Sequence, residues 1–135
     1  MRVLVLGGGS FAGRAVVEDA LARGWEVTTF NRGRRPIAGA ESLVGDRERP
    51  EDLAVLAGRR WDIAVDTWSG APRAAADSAA VLRDAVERYV YVSSGSVYAP
   101  PPPPGGDESA PTVDASADAQ DGDYAELKRG SELAL

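Results

Sequence analysis

The spacing of apolar residues changes period along the chain, and each change marks an element. Val3, Leu4, Val5 and Leu6 are apolar without a break. A central parallel strand buried on both faces reads this way. After a glycine-rich turn the spacing becomes helical, with Ala15, Val16, Ala20 and Leu21 on one face and Gly24 as the stop. Residues Trp25 to Phe30 (WEVTTF) alternate and predict a second strand. Glu41 to Val44 predicts a short third strand, and Pro50 opens a helix with Leu53, Val55 and Leu56 on its apolar face. Trp61 to Asp66 (WDIAVD) predicts a fourth strand around Ile63 and Val65. Pro72 then opens an alanine-rich helix predicted over 73–88, since alanine favours helix most strongly. Tyr89 to Ser93 predicts a fifth strand. A last helix is predicted from near Asp121 to the end, carrying Tyr124, Leu127, Lys128, Leu133 and Leu135.

Strands alternating with helices imply an α/β fold with a doubly wound parallel sheet, helices on both faces and right-handed crossovers. This is the Rossmann arrangement, with an expected strand order of 3-2-1-4-5. At 135 residues the chain is expected to form one domain, 1–135. The five prolines Pro100 to Pro104, with Gly105 and Gly106, exclude helix and predict a stiff, extended stretch. They belong to a polar, acidic loop over 99–120, long enough to be either mobile or functional.

Composition narrows the function. The formal net charge of −6 argues against a nucleic-acid partner, which calls for a basic face. With no cysteine and no histidine, disulfides, thiol catalysis and an ordinary zinc site are excluded, so no metal is expected. No apolar run approaches a membrane span and no signal peptide precedes strand one, so a cytoplasmic location is the default expectation.

The turn after strand one carries the first chemistry. Gly7 permits the turn, Gly9 and Ser10 stand where backbone must approach a pyrophosphate, Phe11 counts among the cofactor-binding residues of the turn, and Gly13 lets helix and strand pack closely. The helix N-terminus adds free N–H groups and partial positive charge. Together they point to dinucleotide binding. Strand two ends at Asn31 and Arg32, followed by Gly33, Arg34 and Arg35. An acidic residue at this place would favour NAD, whereas arginine forks suit a phosphate. NADP is therefore expected, with NAD the alternative, and Arg32 is the first candidate for the 2′-phosphate ahead of Arg34 and Arg35. A solvated basic loop is the plainer reading of the same residues. Asp46 falls at the carboxyl end of strand three, beside any adenine, or else caps the loop. Asp66 and Thr67 fall at the carboxyl end of strand four, where doubly wound sheets bind ligands.

A second cluster is built from Ser93, Ser94 and Ser96 after strand five and from Tyr124 and Lys128 on the last helix. Tyrosine and lysine four apart share a helix face. The ammonium favours the tyrosinate, so the phenol becomes a usable acid or base. One of the serines could hold a substrate oxygen. A surface helical pair and turn-capping serines are the alternative.

These pieces carry a resemblance. LGGGSFAGR, NRG, GDR, DTWSG, YVYVSSGSVYA and YAELK occur in the order and spacing of the NAD-dependent epimerase/dehydratase family, the extended short-chain dehydrogenases/reductases. The whole chain resembles the amino-terminal portion of such proteins. The resemblance implies a catalytic set of Ser94, Tyr124 and Lys128, with Tyr124 as acid/base and Lys128 holding the nicotinamide ribose. It selects Ser94 over Ser93 and Ser96, sets Gly7, Ser10 and Gly13 on the glycine motif, and places Asp46 and Arg47 against the adenine. Ser10 departs from the family, standing where the middle glycine is usual. The implied reaction is hydride transfer at a small alcohol, ketone or nucleotide-sugar. Because a carboxyl-terminal substrate region is expected in the family and is not seen here, a non-catalytic NADP-binding module or a truncated remnant is the alternative. The resemblance also implies a homodimer through helices 73–88 and 121–135.

Overall fold

The computed structural model describes residues 1–9, 11–101 and 104–135. Five parallel strands form one sheet: β1 (Arg2–Leu6), β2 (Glu26–Asn31), β3 (Glu41–Val44), β4 (Trp61–Asp66) and β5 (Val86–Tyr91). Their order is β3-β2-β1-β4-β5, as the alternation predicts. β1 is the central strand, and its apolar run lies in register between Val27 to Phe30 on one side and Ile63 to Asp66 on the other. Val3, Leu4, Val5 and Leu6 are all buried.

The sheet separates two cores. On one face Leu4, Leu6, Phe30, Leu43, Leu53, Leu56, Trp61 and Leu82 pack together. On the other, Val3, Val5, Val17, Ala20 and Val27 pack beneath helix α1 (Phe11–Ala22). Alternation along β1 therefore assigns even residues to one layer and odd residues to the other.

Several elements differ from the sequence expectation, β2 by a shift of one residue and four others by more. The alanine-rich helix α2 spans Pro72–Leu82, not 73–88. Val86, Glu87 and Arg88 belong instead to β5, where Val86 pairs with Trp61 and Arg88 with Ile63. Sheet pairing overrides the helical spacing there, because a β4 edge left open would strand its backbone groups. Strand five accordingly begins before Tyr89 and ends at Tyr91, ahead of Ser93. The segment after Pro50 is a 3-10 helix, Pro50–Leu56, in which Leu53 and Leu56 are both buried in the core. A three-residue spacing is the one that a 3-10 helix places on a single face. The last helix, α3, starts at Tyr124 rather than near Asp121. Asp123 caps it: its carboxylate accepts from Glu126 N, and Glu126 reaches back to Asp123 N at 3.0 Å.

α2 and α3 pack on each other within the chain. Between β5 and α3 the chain makes a long excursion. It is clasped at its base by an antiparallel bridge between Tyr98 and Thr112, by Ala99 N donating to Pro111 O, and by Val113 N donating to Val97 O. Of the proline run, Pro102 and Pro103 lie outside the described residues. No helix among the described residues is long and apolar enough to cross a membrane.

Truncation of fully buried Leu56 to alanine leaves a cavity under the sheet. A loss of about 2–5 kcal/mol is expected for such a change, read as a lower urea midpoint at unchanged slope.

Candidate functional site

The carboxyl ends of the strands open into a cleft of about 420 Å³. Its walls include Gly7 and Gly9 from the turn after β1, Asn31, Arg32, Arg34 and Arg35 after β2, Asp46 and Arg47 after β3, and Thr67, Trp68 and Ser69 after β4.

The turn is shaped for close approach. Gly7 has φ +120°, and a Cβ there would sit 2.2 Å from Thr67 Oγ1. A Cβ on Gly13 would meet Gly8 N at 2.7 Å. Only glycine satisfies both places. Phe11 opens α1 with φ +29°, an uncommon conformation for a bulky residue, and the residue is 95% exposed. Ser10 lies outside the described residues. Gly9 faces the β2 loop: a Cβ on it would stand 3.6 Å from Arg35 Cβ.

Asn31 braces this arrangement. Its side-chain nitrogen donates to Gly7 O at 3.0 Å, and its oxygen accepts from Gly33 N at 2.8 Å. The residue thus ties the glycine turn to the arginine loop. Arg32, Arg34 and Arg35 line the cleft, and among the described residues none has a carboxylate at ion-pair distance. Asp46 accepts from Glu48 N, while its own N–H donates to Asp52.

Arg47 and Asp66, both expected to meet the cofactor, meet each other. The guanidinium forks onto the two Asp66 oxygens, and also reaches Ser78 Oγ and Ala74 O. Asp66 is fully buried; it additionally accepts from Trp68 N at 2.9 Å and from Tyr89 Oη at 2.5 Å. Burial works against the Arg47 charge, but Asp66 more than offsets it and holds the guanidinium protonated. Burial, then the Asp66 charge, push the Tyr89 phenol up. What Asp66 offers the cleft is therefore the position of the residues that follow it. Thr67 hangs its hydroxyl on Leu6 O at 3.1 Å, and the Trp68 ring centre lies 5.0 Å from the Arg47 guanidinium, with the indole N–H on Ala71 O.

The catalytic candidates stand around the far end of the same edge. Ser94 caps a short 3-10 turn, Gly95–Val97; its Oγ accepts from Ser96 N and donates to Ser96 Oγ at 3.1 Å. Ser93 donates instead to Glu132, which is paired with Arg129. Tyr124 is 52% exposed at the start of α3. Lys128 is 3% exposed, with Nζ donating to Trp68 O at 2.5 Å and Val92 O at 2.6 Å. The ammonium stands 5.9 Å from the Tyr124 ring centre and 4.7 Å from that of Tyr91. Desolvation lowers the Lys128 pKa, with Asp66 working the other way.

Trp68, Tyr89 and Tyr91 lie within the motifs DTWSG and YVYVSSGSVYA, which assign them no site role. A signal existed for the tyrosines: two apart on a strand, they share one face, and both hydroxyls reach across to the β4 end, Tyr89 to Asp66 and Tyr91 to Trp68 O.

No family model and no curated protein matches the sequence. Solved structures do match the fold. The Bordetella bronchiseptica enzyme WbmG in complex with NAD aligns with a TM-score of 0.80 at 19% identity, over 100% of this chain and 49% of that one. The UDP-glucose 4-epimerase of Thermus thermophilus, complexed with NAD, aligns with a TM-score of 0.74 at 22% identity, over 98% and 49%. Vestitone reductase from alfalfa aligns with a TM-score of 0.63 at 24% identity, over 98% and 50%. The chain spans about half the length of the structures it matches. The likeness establishes the class of fold, a Rossmann α/β domain.

Two outcomes test the site as built. Replacing Arg47 by methionine strands a buried carboxylate and costs about 3–5 kcal/mol; Arg47→Met with Asp66→Leu recovers part of the loss in chemical denaturation. The second concerns alkali. Burial pushes the Tyr91 phenol up to about 12, from an ordinary 10.0. The folded chain favours the neutral phenol, so that stabilisation is whole below pH 10 and drains away between pH 10 and 12. Tyr91→Phe is expected to alter the dependence of stability on pH in that window, with the Tyr89 contribution of the same sign left in place.

Proposed function

We propose that the chain binds NADP, with NAD the weaker alternative, in the cleft over the carboxyl ends of β1, β2, β3 and β4. The observation that carries this reading is a glycine turn closed to side chains at Gly7 and Gly13 beside a loop of arginines without carboxylate partners among the described residues. Gly7, Gly9 and Gly13 would let the pyrophosphate approach the backbone, at the N-terminus of α1. Arg32, Arg34 and Arg35 supply donors for the phosphates, Arg32 for the 2′-phosphate. Asp46 and Thr67 border the adenosine half.

The catalytic reading places Tyr124 as the acid/base, Ser94 as the donor that holds a substrate oxygen, and Lys128 as the donor to the nicotinamide ribose. The bound nucleotide would provide the redox chemistry, its reduced form as hydride donor and its oxidised form as acceptor. The substrate class is a small alcohol, a ketone or a nucleotide-sugar, and a second copy of the chain packs against α2 and α3. The second reading, a module that binds NADP without turnover, draws on three hydrogen bonds. Ser94 is tied to Ser96, and Lys128 to two main-chain carbonyls.

Fluorescence titration with NADPH and, separately, NADH tests the proposal. Tighter NADPH binding is expected, and replacing Arg32, Arg34 and Arg35 together by alanine is expected to weaken it by about tenfold or more, as loss of a charge-assisted hydrogen bond does. Equal binding of both nucleotides retires the arginine reading, and binding of neither by a folded sample retires the proposal. Turnover that persists in Tyr124→Phe removes the acid/base assignment.

A further inference from the structure

Lys128 is the only lysine of the chain, against an abundance of arginine. Its surroundings are unusual for a buried ammonium. The charged groups around it are Asp66 at the end of β4, Arg47 after β3, and Glu132 on its own helix. Both carboxylates are committed elsewhere: Asp66 to Arg47, Trp68 N and Tyr89, and Glu132 to Arg129 and Ser93. Among the described residues Lys128 has no ion pair. The charge is held by dipoles and by two rings, Tyr124 being the more distant at 5.9 Å. Nζ donates to Trp68 O and to Val92 O, and the Tyr91 ring lies under it at 4.7 Å. Tyr91 Oη donates at 3.0 Å to the same Trp68 oxygen that Lys128 uses.

We propose that Tyr91 is the positioning residue for the Lys128 ammonium. Its ring is the floor of a cage whose walls are the Trp68 and Val92 carbonyls, and its hydroxyl pins the Trp68 wall. An ammonium has three donors, so two engaged carbonyls leave one N–H for a hydroxyl-bearing ligand. The attraction of a ring face for a cation grows as water is removed, which is the condition at a lysine 3% exposed. A guanidinium would not replace it, since its donors lie in one plane. The cage itself stands on the contacts of the chain alone; only the identity of the ligand rests on the function proposed above.

The single lysine makes the test direct. Biosynthetic labelling with 13Cε-lysine gives one side-chain Cε–Hε signal. In the cofactor-free chain, ring current from Tyr91 is expected to displace Hε upfield of its position in free lysine. Tyr91→Phe keeps the displacement and Tyr91→Leu loses most of it, the more distant Tyr124 ring leaving a small remainder. NADPH affinity is expected to fall several-fold in the leucine variant and to be largely retained in the phenylalanine variant. A wild-type signal at the free-lysine position overturns the proposal, and so does an unchanged displacement in Tyr91→Leu. Should the leucine variant fail to fold, the wild-type position decides alone. A chain that shows the displaced signal yet binds no nicotinamide nucleotide keeps the cage and loses the function.

Discussion

The buried pair of Arg47 and Asp66 fixes the edge on which everything else is assembled. A carboxylate at zero exposure is tolerable only with a counter-charge and with its remaining lone pairs filled. Here the guanidinium fork, the Trp68 N–H and the Tyr89 hydroxyl supply all of that. Among the described residues no buried side-chain polar atom lacks a partner. The pair joins the loop after β3 to the end of β4, two segments that the sheet itself keeps apart, since β1 and β2 lie between them.

From that pair the geometry spreads in both directions. Toward the glycine turn, Thr67 hangs on Leu6 O and fills the space that a side chain on Gly7 would need. Toward α3, Trp68 turns its N–H to Asp66 and its carbonyl to Lys128 and Tyr91. One residue therefore stands between the half of the cleft that would take an adenosine and the half that would take a reacting carbon. The glycine turn and the surroundings of Lys128 are braced against each other through the end of β4.

Much of this was legible in the sequence. The unbroken apolar run of β1, the glycines after it and the alternation of strands and helices fix the order of the sheet. The last helix was legible only to within a few residues: it was expected from near Asp121, and the pairing of Asp123 with Glu126 sets its start at Tyr124. The segment 83–88 misled because alanine-rich helical spacing runs into a strand whose pairing partner, β4, lies far away in sequence. Local propensity is a weak prior against such a ladder. Arg47 and Asp66 were both expected to meet a cofactor; Arg47 lines the cleft and Asp66 is buried beneath it, and their distance along the chain hides the fork between them. Tyr91 is a case of the same kind. Its role depends on a lysine that arrives from another element.

The clasp between Tyr98 and Thr112 has a consequence for how this chain could change. A loop whose ends are held has already met the entropic cost of closure, and that cost grows only as the logarithm of its length. The proline-rich excursion can therefore lengthen, shorten or change composition at its tip with little effect on the sheet. Its base, by contrast, follows closely on Ser94, so a shift of one residue at the clasp would be carried into the strand that ends beside Lys128. Variation is tolerated at the tip and disruptive at the hinge, and a binding surface that must diversify without disturbing a fixed site has that division of labour.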